Sequence, residues 1–370
     1  MKICFYAPFK PLGHPKPSGD LVTARGIVEF FESRGHAVIP ASSLRCRWIY
    51  WKPWLWPPLL QERRRVVRRL SGRGVDVWFS YHSYYKAPDL LGPYAAARLG
   101  VPFVLFQGVF STKRRRDWKT LPGFHLNRRT LLSADRVFTN KQVDRRNLRR
   151  LLPEDRIHYV APGIHPEEFA CDAQARERLR REWQVGEEPV VLAVAMFRPG
   201  VKAEGLAWVI RACGELGRRG RRLRVVIAGD GRERPRLMRL AQTELPDRVR
   251  FAGQVERREL YRYYSAADLF VFPGIQESLG MVYLEAQSCG LPVVAFANAG
   301  VPEAVRHGTT GLLVPMYDRR AFVAAIERLL RDGDLRRRMG ANAGRHVRRL
   351  HDLRKNYAEM ESVLQEMVGP

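Results

Sequence analysis

Cysteine is sparse in this chain of 370 residues. The five thiols, Cys4, Cys46, Cys171, Cys213 and Cys289, are odd in number, widely spaced and form no CxxC pair. That argues against a disulfide framework or a thiolate zinc site and fits a reducing cytosol. Long apolar runs are also lacking. No stretch approaches the roughly 20 apolar residues of a membrane span, and the run Ile3 to Ala7 meets Pro8 too soon for a signal peptide. The expectation is a chain that is soluble or attached to a surface from one side. Acid is short as well: 38 Asp and Glu stand against 64 Lys and Arg, a net charge of +26. Only 10 of the basic residues are Lys, a skew to which codon bias can contribute. A hydrophobic content of 45% excludes a disordered acidic chain or a collagen, and the length suits two domains with a core each.

What is present is unevenly placed. Residues 1–170 hold 30 basic and 13 acidic residues, whereas the remaining 200 hold 34 and 25. Such a surplus draws anions: nucleic acid, phospholipid headgroups or phosphorylated sugars. It is densest over 45–73, where Arg45, Arg47, Lys52, Arg63, Arg64, Arg65, Arg68, Arg69 and Arg73 face Glu62 alone. Trp48, Trp51, Trp54 and Trp56, four of the eight tryptophans, are interleaved there, and 113–119 repeats the mixture on a smaller scale. Trp favours the lipid headgroup layer and a polybasic run adds attraction to anionic lipid. The region reads either as a membrane or acceptor face, or as a basic loop with partly buried aromatics.

Short apolar runs alternate with helical patterns along nearly the whole chain. Lys2–Ala7, Ala37–Pro40, Val75–Ser80, Phe103–Gln107 and Arg136–Asn140 read as strands. After Ala161-Pro162-Gly163 the pattern restarts with Pro189–Ala195, Arg224–Ala228, Val249–Phe251, Leu269–Phe272, Pro292–Phe296 and Gly311–Val314. This predicts an α/β chain of two Rossmann-like, doubly wound parallel sheets, with ligands at the carboxyl ends of the strands and a cleft between facing domains. Boundaries are expected at 1–165 and 166–350, with a terminal helix over 351–370 packing back on the first domain. Within the helical, Arg-rich tail, Asp332-Gly333-Asp334 resembles a DxD metal site, but Gly ending one helix and Asp334 capping the next is the better reading.

The densest chemistry lies in Phe272-Pro273-Gly274-Ile275-Gln276-Glu277-Ser278-Leu279-Gly280-Met281 and the following Val282 to Gly290. A strand ends at Pro273, and a helix is predicted from Ser278 to Gly290. Backbone N–H groups of Leu279, Gly280 and Met281 would then form an anion site suited to a diphosphate. If Glu277 and Glu285 are both near-helical, they lie roughly 12 Å apart along the axis and about 80° around it. That pattern suits the two hydroxyl-bearing ends of a nucleotide-sugar. Either acid also has an ordinary explanation, in the helix dipole or in solvation.

The segment resembles the Glu-x7-Glu signature of retaining glycosyltransferases of the GT-B fold, in particular glycosyltransferase family 4. The likeness continues through Gly290 to Ala295, Ala299 to Val305, Gly308 to Pro315, Ile227 to Gly231, Val249 to Gly253 and Ala266 to Pro273, and so covers 189–350. It implies that Arg198 and Lys202 grip the diphosphate, Glu277 meets the sugar and Glu285 the ribose, with Ser278, Leu279, Gly280 and Met281 at the donor. The three residues between Arg198 and Lys202 are not the family's commonest spacing, and any two of 64 basic residues could fall so. In the first half Gly19 stands where the family has a glycine that lets the loop approach the donor. Gln107 replaces a frequent His, leaving the sugar open. His82, at the end of a strand, is a cleft candidate or an ordinary satisfied polar residue.

The resemblance implies hexosyl transfer from a nucleotide-diphosphate sugar to a glycan or lipid-linked hydroxyl, in cell-envelope polysaccharide or lipopolysaccharide synthesis. No cofactor and no metal are expected, since Lys, Arg and a helix terminus neutralise the phosphates. Arg45, Arg47, Trp48, Trp51, Trp54, Trp56, Arg63, Arg64 and Arg65 are the expected membrane or acceptor face, at the inner side of the cytoplasmic membrane. A GT-B epimerase or phosphorylase remains an alternative. So does a basic nucleic-acid-binding α/β protein, although no nucleic-acid motif is present.

Overall fold

The computed structural model describes residues 1–15 and 19–369, without the side chain of Asp20. The chain divides into two compact units, one formed by Met1–Ala161 with Arg354–Pro370, the other by Pro162–Leu353. In the first unit the strands are β1 (Lys2–Tyr6), β2 (Ala37–Pro40), β3 (Val77–Ser83), β4 (Phe103–Gly108), β5 (Arg136–Thr139) and β6 (Ile157–Tyr159), in the order β2-β1-β3-β4-β5-β6. In the second they are β7 (Val190–Val194), β8 (Arg224–Ala228), β9 (Val249–Gly253), β10 (Leu269–Val271), β11 (Val293–Phe296) and β12 (Gly311–Val314), in the order β12-β11-β10-β7-β8-β9. Neighbouring strands pair in parallel in both sheets. Parallel strands need helical crossovers that cover both faces, so β7 and β10 are buried along their whole length.

Strand order reverses between β1 and β3 in the first sheet and between β7 and β10 in the second. At such a point successive crossovers depart to opposite sides, and a crevice opens at the carboxyl ends. The other end of the β7–β10 pair is fixed by Asp268. Its carboxylate accepts the Val190 N–H at 2.7 Å, Arg176 at 2.7 Å and Arg180 at 3.0 Å. Burial alone raises such a carboxyl, but the Val190 amide and the two guanidiniums outweigh it and hold Asp268 below its usual range.

The strands differ from expectation in detail. β3 runs to Ser83, so His82 lies inside the strand's last turn of pleat, and the three-residue β6 carried too short a run to be recognised. The helix Leu353–Val368 belongs to the first unit, where buried Glu361 accepts from Arg34 Nε at 3.0 Å and lies 2.6 Å from the His36 ring. At the Asp332-Gly333-Asp334 break the capping residue is Asp332, not Asp334. The Asp332 side chain accepts the Leu335 N–H at 2.8 Å while Asp334 pairs with Arg337, because the helix already begins at Gly333.

Candidate active site

The loop after β10 is built from backbone that few residues tolerate. Gly274 and Gln276 are left-handed, and Gly280 (φ 70°) starts the helix Met281–Ser288. A Cβ on Gly280 would lie 2.6 Å from the Tyr283 ring. The helix therefore begins at Met281 and not at Ser278, so Ser278, Leu279 and Gly280 belong to the loop. Glu277 is not helical, and the axial spacing expected between it and Glu285 does not apply. The N–H groups left without a helical partner are those of Met281 and Val282, since the Tyr283 N–H already donates to Gly280 O at 2.9 Å. Glu277 is held by its backbone: its N–H donates to Gly274 O at 3.0 Å and its carbonyl accepts Gly300 N–H at 2.9 Å. Gly300 must be glycine for this contact, since a Cβ would collide with the Ser278 carbonyl.

Lys202 arrives from the neighbouring switch-point strand. After β7 the chain turns at Gly200 (φ 86°) into the helix Val201–Arg218, and the Lys202 ammonium pairs with the Glu277 carboxylate. The same ammonium lies 5.3 Å from the centre of the Phe272 ring, a neighbour that the sequence did not suggest. Arg198 lies in the loop between β7 and this helix; its guanidinium is exposed and has no acidic partner among the described residues. The expected grouping of Arg198, Lys202 and Glu277 thus corresponds to the loops following β7 and β10, and only Lys202 and Glu277 touch.

Glu285 lies on the buried side of its helix, 4% exposed. Its Oε1 accepts from Arg257 Nε at 3.1 Å and its Oε2 from the Tyr264 hydroxyl at 3.0 Å. Arg257 also pairs with Glu168 at 3.0 Å and lies over the Phe169 ring, leaving half of its side chain exposed. Burial pushes the Glu285 carboxyl up, against the opposing pull of Arg257 and the Tyr264 hydroxyl. Arg257 and Tyr264 were missed by sequence reasoning because nothing in their spacing ties them to Glu285.

In the first unit, Gly19 opens the helix Gly19–Ser33, while Ser18 before it lies outside the described residues. His82 (φ 63°) and Gln107 (φ 57°) are both left-handed near the carboxyl ends of β3 and β4. Such backbone is uncommon away from glycine and marks sites where surrounding structure imposes it. The His82 ring stacks on Tyr84 at 4.6 Å and meets Phe9, in the loop after β1, edge-on at 5.9 Å.

The basic-aromatic region separates into parts. Trp54 is 66% exposed, and Trp51 and Trp56 are also open to solvent, whereas Trp48 is half-buried. The helix Trp56–Leu70 buries Leu59, Val66 and Leu70 and leaves Arg64 and Arg65 outside. Arg63 departs from the expected open face: its Nε donates to Leu90 O at 2.8 Å and its guanidinium lies over Tyr94, because it falls on the buried stripe. The second basic-aromatic segment joins the first in space. Trp51 Nε1 donates to Lys119 O at 2.8 Å and its ring meets that of Trp118, 68% exposed, at 5.7 Å.

Two Rossmann-like parallel sheets in series, with chemistry at the carboxyl edges, define a two-domain α/β protein of the GT-B fold. Solved structures agree in fold. Anabaena Alr3699/HepE in complex with UDP superposes with a TM-score of 0.76 at 19% identity, covering 98% of this chain and 99% of that one. Sucrose-phosphate synthase from Thermosynechococcus elongatus gives 0.72 at 21%, covering 99% of each. Residues 175–346 match the family model for glycosyl transferases group 1, and 21–168 match glycosyltransferase family 4. The chain is 34% identical over 295 residues to the GDP-mannose-dependent alpha-(1-6)-phosphatidylinositol monomannoside mannosyltransferase of Mycolicibacterium smegmatis, across 76% of this chain and 74% of that enzyme. It is 35% identical over 209 residues to the alpha-D-kanosaminyltransferase of Streptomyces kanamyceticus, across 56% of this chain, and spans about half (53%) of that enzyme's length. The chain belongs to the group 1, family 4 glycosyltransferases.

The Glu285 shift has a stability signature. The folded chain holds this proton more tightly than the unfolded chain, so the contribution is fully present below the ordinary Glu value and is lost as pH rises through the raised one. Glu285→Gln cannot ionise, and its stability relative to the parent is expected to rise as pH goes from about 4 to about 7. Urea midpoints across that range check this; a pH-independent difference contradicts it.

Proposed function

We propose that this glycosyltransferase moves a hexosyl group from a nucleoside-diphosphate sugar to a hydroxyl of a glycan or lipid-linked acceptor, with retention at the anomeric carbon. The observation that carries the reading is the pairing of Lys202, in the first turn of the helix that follows β7, with Glu277, in the loop that leads from β10 into the helix Met281–Ser288. A diphosphate there meets the Lys202 ammonium, the Arg198 guanidinium and the free N–H groups at Met281, which offset the charge that builds as the nucleoside diphosphate departs. Lys202 released towards phosphate leaves the Glu277 carboxylate able to accept from sugar hydroxyls. Ser278, Leu279 and Gly280 shape the loop around the donor, and Glu285, reached past the exposed part of Arg257, serves the ribose.

The acceptor oxygen forms its bond to the anomeric carbon on the face from which the diphosphate leaves. The glycosyl–phosphate C–O bond breaks, its electron pair goes to the phosphate, and a departing phosphate oxygen takes the acceptor proton. No protein nucleophile is required, so the protein contributes positioning and electrostatics. The cations already at the site supply the counter-charge, and activity is expected to persist in the presence of a chelator. Support for a nucleotide-sugar donor and a lipid acceptor comes from the name of the Mycolicibacterium relative, GDP-mannose-dependent and acting on a phosphatidylinositol monomannoside. Cell-envelope glycan or lipopolysaccharide assembly is the setting we favour.

We also propose that Trp54, Trp118 and Leu60, exposed beside Arg64, Arg115 and Arg116, rest on the anionic inner face of the cytoplasmic membrane. No helix among the described residues is long and apolar enough to cross a membrane.

Donor-dependent release of nucleoside diphosphate is expected to fall by about a hundredfold or more in Glu277→Ala and in Arg198→Ala, with the fold retained by circular dichroism. Full turnover in both variants overturns the site. In flotation, the chain is expected to rise with vesicles containing anionic lipid at low salt and to detach as salt increases. Absence from anionic vesicles at low salt contradicts the membrane face.

A further inference from the structure

The first unit has its own switch point, between β1 and β3, and the cations that follow β2 gather beside it. A cavity of about 510 Å³ is walled by Arg45, Arg47 and Lys52, with Trp48, Leu44 and Leu55 as its apolar side. We propose that this cavity is an anion-binding site for a phosphate ester carried by the acceptor. The proposal rests on the reading of the protein as a glycosyltransferase and supplies what that reading leaves open, the chemical class of the acceptor.

Three observations carry it. The first is unpaired charge. None of Arg45, Arg47 and Lys52 has an acidic partner among the described residues, and only Glu62 is acidic within 45–73; it is bound instead by the Ser42 hydroxyl at 2.7 Å and faces an adjoining hollow. Like charges gathered around one concavity repel, and an anion between them removes that cost.

The second is anchoring. Arg45 Nε donates to the Phe9 carbonyl at 3.3 Å, and the Arg47 guanidinium lies 5.8 Å from the centre of the Phe9 ring. Both cations are thereby tied to the loop that follows β1, where the Phe9 ring meets Tyr84 at 5.5 Å and His82 at 5.9 Å. Two of the cations that wall the cavity thus also touch a cluster of aromatic rings beyond β1 and β3, on the edge at which open α/β sheets receive ligands. Sugar rings pack on such faces through their C–H groups, while a phosphate takes a forked hydrogen bond from a guanidinium.

The third is backbone strain. Trp48, a bulky residue, is held left-handed at φ 56° and ψ 30°, with its N–H on Lys86 O at 2.6 Å and the Lys86 ammonium 5.7 Å from its ring centre. Trp48 held in this way lines the cavity together with Arg47 and Lys52. A cavity of this size accommodates a phosphorylated monosaccharide or a glycerophosphate headgroup.

Binding to the full chain by titration calorimetry tests the proposal, with sn-glycerol 3-phosphate, monomeric dihexanoyl phosphatidic acid and neutral glycerol as probes. Saturable binding of the two phosphates and none of glycerol is expected, weakened about tenfold or more in Arg45→Ala/Arg47→Ala. Equal affinity for the two phosphates assigns the site to a soluble phosphate ester, and tighter binding of the short-chain lipid assigns it to a lipid headgroup; either supports the site. No saturable binding of either phosphate, or undiminished binding in the double variant, overturns it. Thermal stabilisation by a nucleoside diphosphate, read in the same variant, is expected to match the parent. That readout separates failure of this pocket from failure of the donor site, since Arg45 and Arg47 lie in the other unit.

Discussion

What the second unit can do with an anion depends on β7 and β10 lying side by side, and the Asp268 carboxylate holds them so. It joins the first residue of β7 to the start of β10 and is itself neutralised by Arg176 and Arg180. With the amino ends fixed, the carboxyl ends must open together, and the segments that leave them carry Lys202 and Glu277. The lysine and the glutamate are 75 residues apart in sequence. They meet because strand order reverses between their two strands, a property of topology rather than of either loop. A buried carboxylate left without its partners would cost several kcal/mol, on the order of 3–5. The pin is therefore structural and distant from chemistry, while the pair it aligns is half-open to solvent and available to a ligand.

Arginine serves two purposes in this chain, which explains why a net charge of +26 was ambiguous. In the second unit, several arginines close ion pairs that fasten elements together, such as Arg221 to Glu327 and Arg224 to Glu188. In the first, Arg63 and Arg69 donate to backbone carbonyls, whereas Arg45, Arg47 and Lys52 surround a cavity without acidic partners among the described residues. The excess thus resolves into fasteners, a solvent face and a grouped set of cations with nothing of their own to neutralise.

Much of the fold was legible because parallel strands buried on both faces read as continuous apolar runs, and the alternation with helices survived across both halves. β6 escaped because three residues at a sheet edge, with His158 among them, make no such run. At the candidate site the residue types were legible and their geometry was not. Ser278 followed by an amphipathic run looks like the start of a helix, yet Gly280 adopts a left-handed conformation and delays it to Met281. Glycine permits that choice without announcing it. Arg257 and Tyr264 lay beyond reach because their relation to Glu285 exists only after the helix Leu260–Ala266 packs beside the helix Met281–Ser288. The union of Trp51 with Trp118 is likewise a tertiary fact, although both segments stood out by composition.

We propose that the segments after β7 and β10 receive a nucleoside diphosphate. Amide hydrogen exchange of the full chain, with and without saturating guanosine or uridine diphosphate, tests it most directly. Slowed exchange in 197–204 and 273–284 is expected with at least one of the two nucleotides. Nucleotide binding that leaves both segments unprotected, or protects the first unit alone, would contradict it.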